Sequence, residues 1–126
     1  MDGDELRDLC LTFPGSTETF PFGPETSVFK VAGKMFALSR LRGVPLQVSL
    51  KCEPLLAAQL RAAHPAITGG YHLDKRHWNT VVIDGSLPDQ TIADMIEDSY
   101  DLVVSKLPRA RRRALRWSGE ASLAED

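Results

Sequence analysis

The residues best suited to chemistry lie in the stretch 69–85, between a Gly-Gly pair and an Asp-Gly pair. Its side chains offer flat aromatic rings, cationic heads and an amide at short spacing, which suits an anionic polymer that carries bases. We predict that Lys75 and Arg76 neutralise phosphates, that the histidines stack on or bond to bases, and that Asn79 reads a base edge. The groups concerned are Tyr71, His72, Lys75, Arg76, His77, Trp78 and Asn79.

This stretch also has a structural interpretation. Tyr71 and Trp78 are then core aromatics, Asn79 satisfies a turn, and the histidines are ordinary surface groups. Charged heads are rarely buried without a partner, so Lys75 and Arg76 are expected at the surface under both interpretations.

Further bases extend the prediction from a loop to a surface. The formal net charge is −2, yet acids predominate in residues 1–25 and bases in residues 26–84. A second basic block, 106–116, contains no acid, so an anionic partner fits the chain despite its pI of about 5.9. The alternatives are a solvated sheet face and a merely solubilising tail. The full set of predicted DNA contacts is Lys30, Lys34, Arg40, Arg42, Lys51, His72, Lys75, Arg76, His77, Asn79, Arg109, Arg111, Arg112 and Arg113.

The sequence contains none of the common catalytic motifs: GxSxG, a P-loop, HExxH or a glycine-rich dinucleotide turn. We therefore predict a protein without catalysis, cofactor or metal, and a dyad of Cys52 with a histidine stays open as a minority alternative. A run of acids at helical spacing (Asp94, Glu97, Asp98, Asp101) is interpreted as a polar helix face rather than a weak metal site of oxygen ligands. A second function left open is a small-molecule pocket between the sheet and the 71–78 loop.

Composition places the chain among globular proteins. Hydrophobic residues make up 43%, and no apolar run approaches the roughly 20 residues that span a bilayer. The acidic start is unlike a secretory signal, and Cys10 and Cys52 lack a nearby partner, which favours reduced thiols in a cytoplasmic protein. We predict one domain over 1–108, a flexible tail over 109–126, no membrane association and a monomer.

Hydrophobic periodicity supplies the elements. A short helix over 4–12 precedes an extended edge segment in which Phe20 and Phe22 are expected to be buried anchors. A hairpin of 28–32 and 35–41 turns at Gly33-Lys34, and 46–51 alternates with Leu46, Val48 and Leu50 facing inward.

The second half predicts two helices around one more strand. Pro54 starts a helix with Leu56, Leu60 and Ala63 on its apolar face, and 80–84 form a strand. A capping box over 86–89 then starts a helix whose inner face carries Ile92, Ile96, Tyr100, Val103 and Leu107. Helices on one face of an antiparallel sheet make an α+β two-layer sandwich with the other face open.

Several separate segments resemble the MmcQ/YjbR family of small bacterial proteins: FPGSTETFPFGPETSVFKVAGKMFAL, the LKCEP step into a helix, GYHLDKRHWNTVVIDGSLPD and SYDLVVSKLP. The likeness spans about residues 5–108. It implies a frataxin-like (CyaY-like) α+β fold with a double-wing DNA-binding motif, and the frataxin-like fold in turn suggests an iron-handling or protein-partner module as a third function. Glu53 stands where aspartate is more usual before Pro54, and the basic block 109–116 lies outside the shared region.

Overall fold

The structure is a six-stranded sheet with helices on one side. It is a computed structural model that describes residues 1–70 and 73–117. The helices are α1 (Gly3–Thr12), α2 (Pro54–Ala63), α3 (Asp89–Ser105) and α4 (Arg109–Ala114). The strands are β1 (Ser16–Thr19), β2 (Ser27–Val31), β3 (Lys34–Ser39), β4 (Gln47–Lys51), β5 (Ile67–Gly69) and β6 (Trp78–Val82). All neighbouring strands are antiparallel, in the order β1-β2-β3-β4-β6-β5, which confirms the predicted α+β class.

Helices α1 and α3 pack on the sheet with the apolar faces that the periodicity predicts. In α1, Leu6 and Cys10 are fully buried, and a capping box joins Asp2 and Glu5 at its start. In α3, Ile92, Ile96 and Tyr100 are at most 2% exposed, so this helix covers the centre of the sheet. No helix within the described ranges is long and apolar enough to span a membrane.

The start of α3 differs from the prediction. The helix begins at Asp89 with Pro88 as its N-cap, and no side chain caps it. Ser86 instead lies in the preceding turn, where its backbone N–H donates to Asp84 Oδ1 at 3.0 Å. The predicted capping box of Ser86 and Asp89 is therefore wrong, because Ser86 belongs to the turn and the Asp89 carboxylate accepts from the N-terminal amine of Met1 at 3.1 Å.

The β2–β3 hairpin turns one residue earlier than predicted. Ala32 and Gly33 have φ of 50° and 76°, and β3 already begins at Lys34. Positive φ at both central residues is the type I′ geometry, whose twist matches that of paired strands. The shift leaves Lys34 paired with Val31 at the end of the ladder.

Side chains of α3 and of the loop after α1 hold the helix layer on the sheet. The buried Ser99 hydroxyl accepts from Lys51 N at 2.8 Å and donates to Phe36 O at 2.6 Å. Tyr100 donates to Pro14 O at 2.7 Å, and its ring stacks on Phe13 with centroids 4.9 Å apart. These contacts fix the end of α3 against β3 and β4.

Two predicted apolar anchors are wrong. Phe20 and Phe22 are 50% and 65% exposed, because they follow β1 in the turn that leads to β2 rather than lying in a paired strand.

On α2, Leu56 is 43% exposed and Ala63 is also exposed, while Ala57 is the buried contact. Helix α2 packs on β5 and β6 and stands apart from α3, so its apolar stripe borders a groove.

The segment after Pro108 is not simply a tail. Residues 109–114 form α4, Leu115 packs against the core next to Gly15, and the Trp117 indole donates to Asp101 Oδ1 at 2.8 Å. Two apolar side chains supply the anchorage that the basic composition of 109–116 concealed. Residues 118–126 lie outside the described residues.

Candidate nucleic-acid interface

The sheet face that points away from the helices carries a row of six side chains, four of which bear a hydroxyl group. Strand pairing aligns one residue from each strand across this face. The row runs Thr19, Val28, Leu38, Ser49, Thr80 and Thr68. The hydroxyls of Ser49 and Thr80 bond at 2.9 Å, so the centre of the row is self-satisfied.

Two lysines flank this row on the same side. Lys30 follows Val28 by two residues in β2, and Lys51 follows Ser49 by two residues in β4, so both point to the open face. The two strands run in the same direction on either side of β3, which places the backbones about 10 Å apart at a strand spacing of about 4.8 Å. The predicted exposure of Lys30 on the outer face is thus correct, although both lysines are half-buried.

The same end of the sheet gathers the other loop cations. Pairing of Val31 with Lys34, of Lys51 with Trp78 and of Gly69 with Asn79 brings the β2–β3 turn and the loop 70–77 to one end. We call this the basic end. Its bases on the sheet and its loops are Lys30, Lys34, Lys51, Lys75 and Arg76. Among the described residues, no carboxylate lies within 4.0 Å of their charged nitrogens.

A compact turn presents Lys75 and Arg76 to solvent. The Asp74 carboxylate accepts from the backbone N–H of Arg76 at 2.9 Å, and Asp74 O accepts from Trp78 N at 2.9 Å. His77 Nε2 lies 3.8 Å from Asp74 Oδ2, within the same turn. The Asp74 carboxylate is therefore used within the turn, and the side chains of Lys75 and Arg76 point outward. His72 and Tyr71 lie outside the described residues.

Arg61 holds this loop from behind and was not predicted as a site residue. One guanidinium nitrogen donates to Lys75 O at 2.9 Å and to Asn79 Oδ1 at 2.8 Å, which ties α2 to the loop and to β6. The sequence signal is a base in the last turn of a mostly apolar helix.

Asn79 does not face solvent, so its predicted role at a base edge is wrong. Its side chain is 3% exposed, accepts from Arg61 and donates to Ala57 O at 3.3 Å. The β6 strand begins at Trp78, two residues before the predicted start, and this turns Asn79 toward α2. Trp78 is 8% exposed, as the structural interpretation predicts.

Arg40 and Arg42 lie at the opposite end of the sheet and do not join the basic end. Both follow β3 in the loop to β4, where Arg40 pairs with Glu25 and Arg42 with Asp4 at 3.0 Å. A cavity of about 450 Å³ at this end is lined by both signs of charge. Their predicted membership of one basic surface is wrong, because sequence proximity to a turn does not say which end of the sheet the turn occupies.

The chain after α3 adds cations to the basic end. Lys106 borders a cavity of about 290 Å³ together with Lys51 and His77. Leu115 lies near Gly15 and Val31, which brings α4 to the same end, with Arg109, Arg111 and Arg113 exposed. Arg112 instead donates to Leu107 O at 2.6 Å. Lys106 was not among the predicted contacts, since its position depends on where α3 ends.

The thiols and the acidic run offer little chemistry. Burial raises the pKa of Cys10 to about 12, and burial, with Asp98 second, raises the pKa of Cys52. Both are thus protonated at neutral pH. Across the described ranges, no group of three or more His, Cys, Asp or Glu is placed to hold a metal ion.

The family model YjbR matches residues 11–102. The chain belongs to the YjbR family. Two similar relatives are YbdF of Escherichia coli O157:H7, 38% identical over 121 residues, and YjbR of Escherichia coli K12, 36% identical over 115 residues. The alignments cover 92% and 91% of this chain and 98% of each relative.

Solved structures of YjbR-type proteins share the fold. Protein DR2400 of Deinococcus radiodurans, with a DUF419 domain, superposes with a TM-score of 0.85 at 43% identity and covers 90% of this chain and 87% of its own. A Pseudomonas syringae protein superposes with a TM-score of 0.70 at 28% identity, covering 81% and 98%. None of these names states an activity, so the YjbR family fixes the fold and leaves the function to be argued from the surface.

Proposed function

We propose that this YjbR-family protein binds duplex DNA through the basic end of its sheet, mostly by phosphate contacts and with weak sequence specificity. The observation that carries the proposal is the strand register. It brings Lys30, Lys34 and Lys51 to the same end as Lys75 and Arg76, with no described carboxylate in ion-pair range of any of them. Unpaired cations that converge on one side of a molecule attract polyanions even when the net charge is slightly negative.

The side chains available at this end favour phosphates over base edges. Lysine and arginine heads neutralise backbone charge, whereas Asn79, the one amide predicted to read bases, is buried. Lys75 and Arg76 are exposed, so they reach a ligand without rearrangement. Binding of this type is dominated by counterion release and discriminates little between sequences.

Two connections lie on either side of β4 at the basic end. The β2–β3 hairpin carries Lys30 in β2 and Lys34 at the start of β3, and the loop between β5 and β6 carries Lys75 and Arg76. These two connections would act as the two wings of a double-wing motif, one on each side of β4, with the DNA backbone between them. The α4 arginines supply further cations beside them.

The function proposed involves no catalytic step. A nucleophilic Cys52 needs a lowered thiol pKa, and both burial and the nearby Asp98 act in the other direction. The cytoplasmic location and the monomeric state remain predictions from the sequence.

The test is a salt titration of binding to a labelled duplex of about 20 base pairs, followed by fluorescence anisotropy. Two double variants remove the same charge from opposite ends of the sheet: Lys75→Gln with Arg76→Gln, and Arg40→Gln with Arg42→Gln. Each phosphate contact contributes about 0.9 to the slope of log K against log salt. The first variant should lower the steepness of that slope by about 1–2, and the second should leave it unchanged.

The design separates a site from a diffuse charge effect. Equal losses in both variants would show that only the net charge matters, and absence of binding by the wild-type protein at low salt would remove the proposal. Duplexes of shuffled sequence should bind within a few fold of one another, and a preference of a thousandfold would contradict the weak specificity.

A further inference from the structure

A cavity of about 380 Å³ opens between α2 and α3 on the helix side of the sheet. Its size falls within the range of small-molecule sites in proteins, roughly 300–1,000 Å³. The cavity exists because α2 packs on β5 and β6 while α3 packs on β2, β3 and β4, so the two helices diverge over the sheet. This is not the pocket beside the 71–78 loop considered from the sequence.

The floor and walls of this cavity are apolar and already in place. Leu50 and Val81 form the floor and are 3% and 1% exposed. Leu56 and Leu60 line it from α2, and Leu102 lines it from α3 together with Met95. Leu56 is 43% exposed, so apolar surface at this cavity stays in contact with water. An apolar body of suitable size would cover that surface and gain about 25 cal/mol per Å².

The rim is acidic. In the described part of the chain, the charged lining residues are Glu53, Asp98 and Asp101, with Lys51 as the opposing base. Burial raises the pKa of Asp98, and the neighbouring carboxylates Asp101 and Asp94 raise it further. A cation at the mouth would relieve that repulsion, whereas an anion would increase it. The rim therefore selects the sign of the ligand.

An aromatic edge completes the site. Trp117 lines the cavity, and its indole N–H donates to Asp101 Oδ1 at 2.8 Å. This hydrogen bond holds the ring beside the acidic rim, where its face can contact an organic cation.

We propose that the α2–α3 cavity is a binding site for a small organic cation with an apolar body, such as an arylalkyl amine. The apolar part lies on Leu50 and Val81 between the helices, and the ammonium group lies at the rim near Asp98. The site shares Lys51 with the basic end, and Lys51, Cys52 and Glu53 also border the neighbouring polar cavity there.

Three probes with the same body and different heads test the proposal: 4-phenylbutylamine, 4-phenylbutanol and 4-phenylbutanoate. Binding is followed by isothermal titration calorimetry and by chemical-shift changes in ¹⁵N spectra of the full chain. The amine should bind with a Kd on the order of 0.1–1 mM, in keeping with its few heavy atoms, and at least tenfold more tightly than the carboxylate. Equal affinity of all three probes, or shifts that map elsewhere, would overturn the proposal.

Variants on α2 and α3 distinguish this cavity from general surface binding. Leu56→Trp fills the cavity from a partly exposed position and should reduce amine affinity by tenfold or more. Leu55→Trp is the matched control, since Leu55 is 74% exposed on the same helix and does not line the cavity. Asp98→Asn should weaken the amine several fold and leave the alcohol unchanged. Loss in both tryptophan variants, or in neither, would contradict the assignment.

Discussion

Replacement of Asn79 separates a structural role from a role in recognition. The Asn79 amide accepts from the Arg61 guanidinium at 2.8 Å and donates to Ala57 O at 3.3 Å in a site that is 3% exposed. A hydrogen bond to a charged group contributes about 1.5–3 kcal/mol and a neutral one about 0.5–1.5 kcal/mol. Arg61 is only half-buried, and the Ala57 contact is long, so values in the lower half of each range apply. Asn79→Ala should therefore reduce the free energy of unfolding by about 2–3 kcal/mol.

Urea unfolding followed by circular dichroism measures this loss. With a slope of about 1.5–2 kcal/mol/M for a chain of this size, the midpoint should fall by roughly 1–2 M urea. Gln47→Ala, an exposed amide on the adjacent strand β4, is the control and should change stability by less than about 0.5 kcal/mol.

The same variant, kept folded without denaturant, should bind the duplex within about twofold of the wild-type protein, with an unchanged salt slope. An unaltered urea midpoint together with a tenfold loss of DNA affinity would refute the reasoning and return Asn79 to the interface.

Three further outcomes follow from the core. Ser99→Ala should cost about 2–3 kcal/mol, because it orphans a buried donor in β4 and a buried acceptor in β3, while Ser105→Ala on the same helix should cost less than about 0.5 kcal/mol in the same urea assay. The folded state keeps the Cys10 proton to about pH 12 while the unfolded thiol releases it near 9.0, so the free energy of unfolding should fall as pH rises through that window. Cys10→Ser should flatten that slope in chemical unfolding at pH 8–11, and an unchanged slope would show that another group is responsible. Gly3→Ala should lower the melting temperature despite alanine's higher helix propensity, because a Cβ there would lie 2.1 Å from Leu41 O, and a rise would contradict the close approach.

The sequence was sufficient for the elements whose signals are local. The apolar face of α3, from Ile92 to Val103, repeats at helical spacing and is buried as predicted, and Leu107 is buried just after the helix ends. The alternation in β4 correctly places Val48 and Leu50 inward, and the fold class follows from the order of such elements.

The failures share a dependence on packing between distant segments. Phe20 and Phe22 carry a burial signal in their type, but the chain leaves the sheet before them. Leu115 and Trp117 anchor α4 through contacts with Gly15 and Asp101, which no local pattern announces. The prediction of the site fails for the same reason. Strand order alone places Lys34 and Lys75 at one end of the sheet and Arg40 at the other. Local periodicity does not encode that order.

The arrangement of charge along the strands has an electrical consequence. At one end, Arg40 pairs with Glu25 and Arg42 pairs with Asp4 in the first turn of α1, while the lysines lie at the other end. The molecule is therefore a dipole, and near an extended anion it rotates before it collides. Its productive encounters should outnumber those of a uniformly charged protein of equal net charge, and above its pI it should still be retained on heparin.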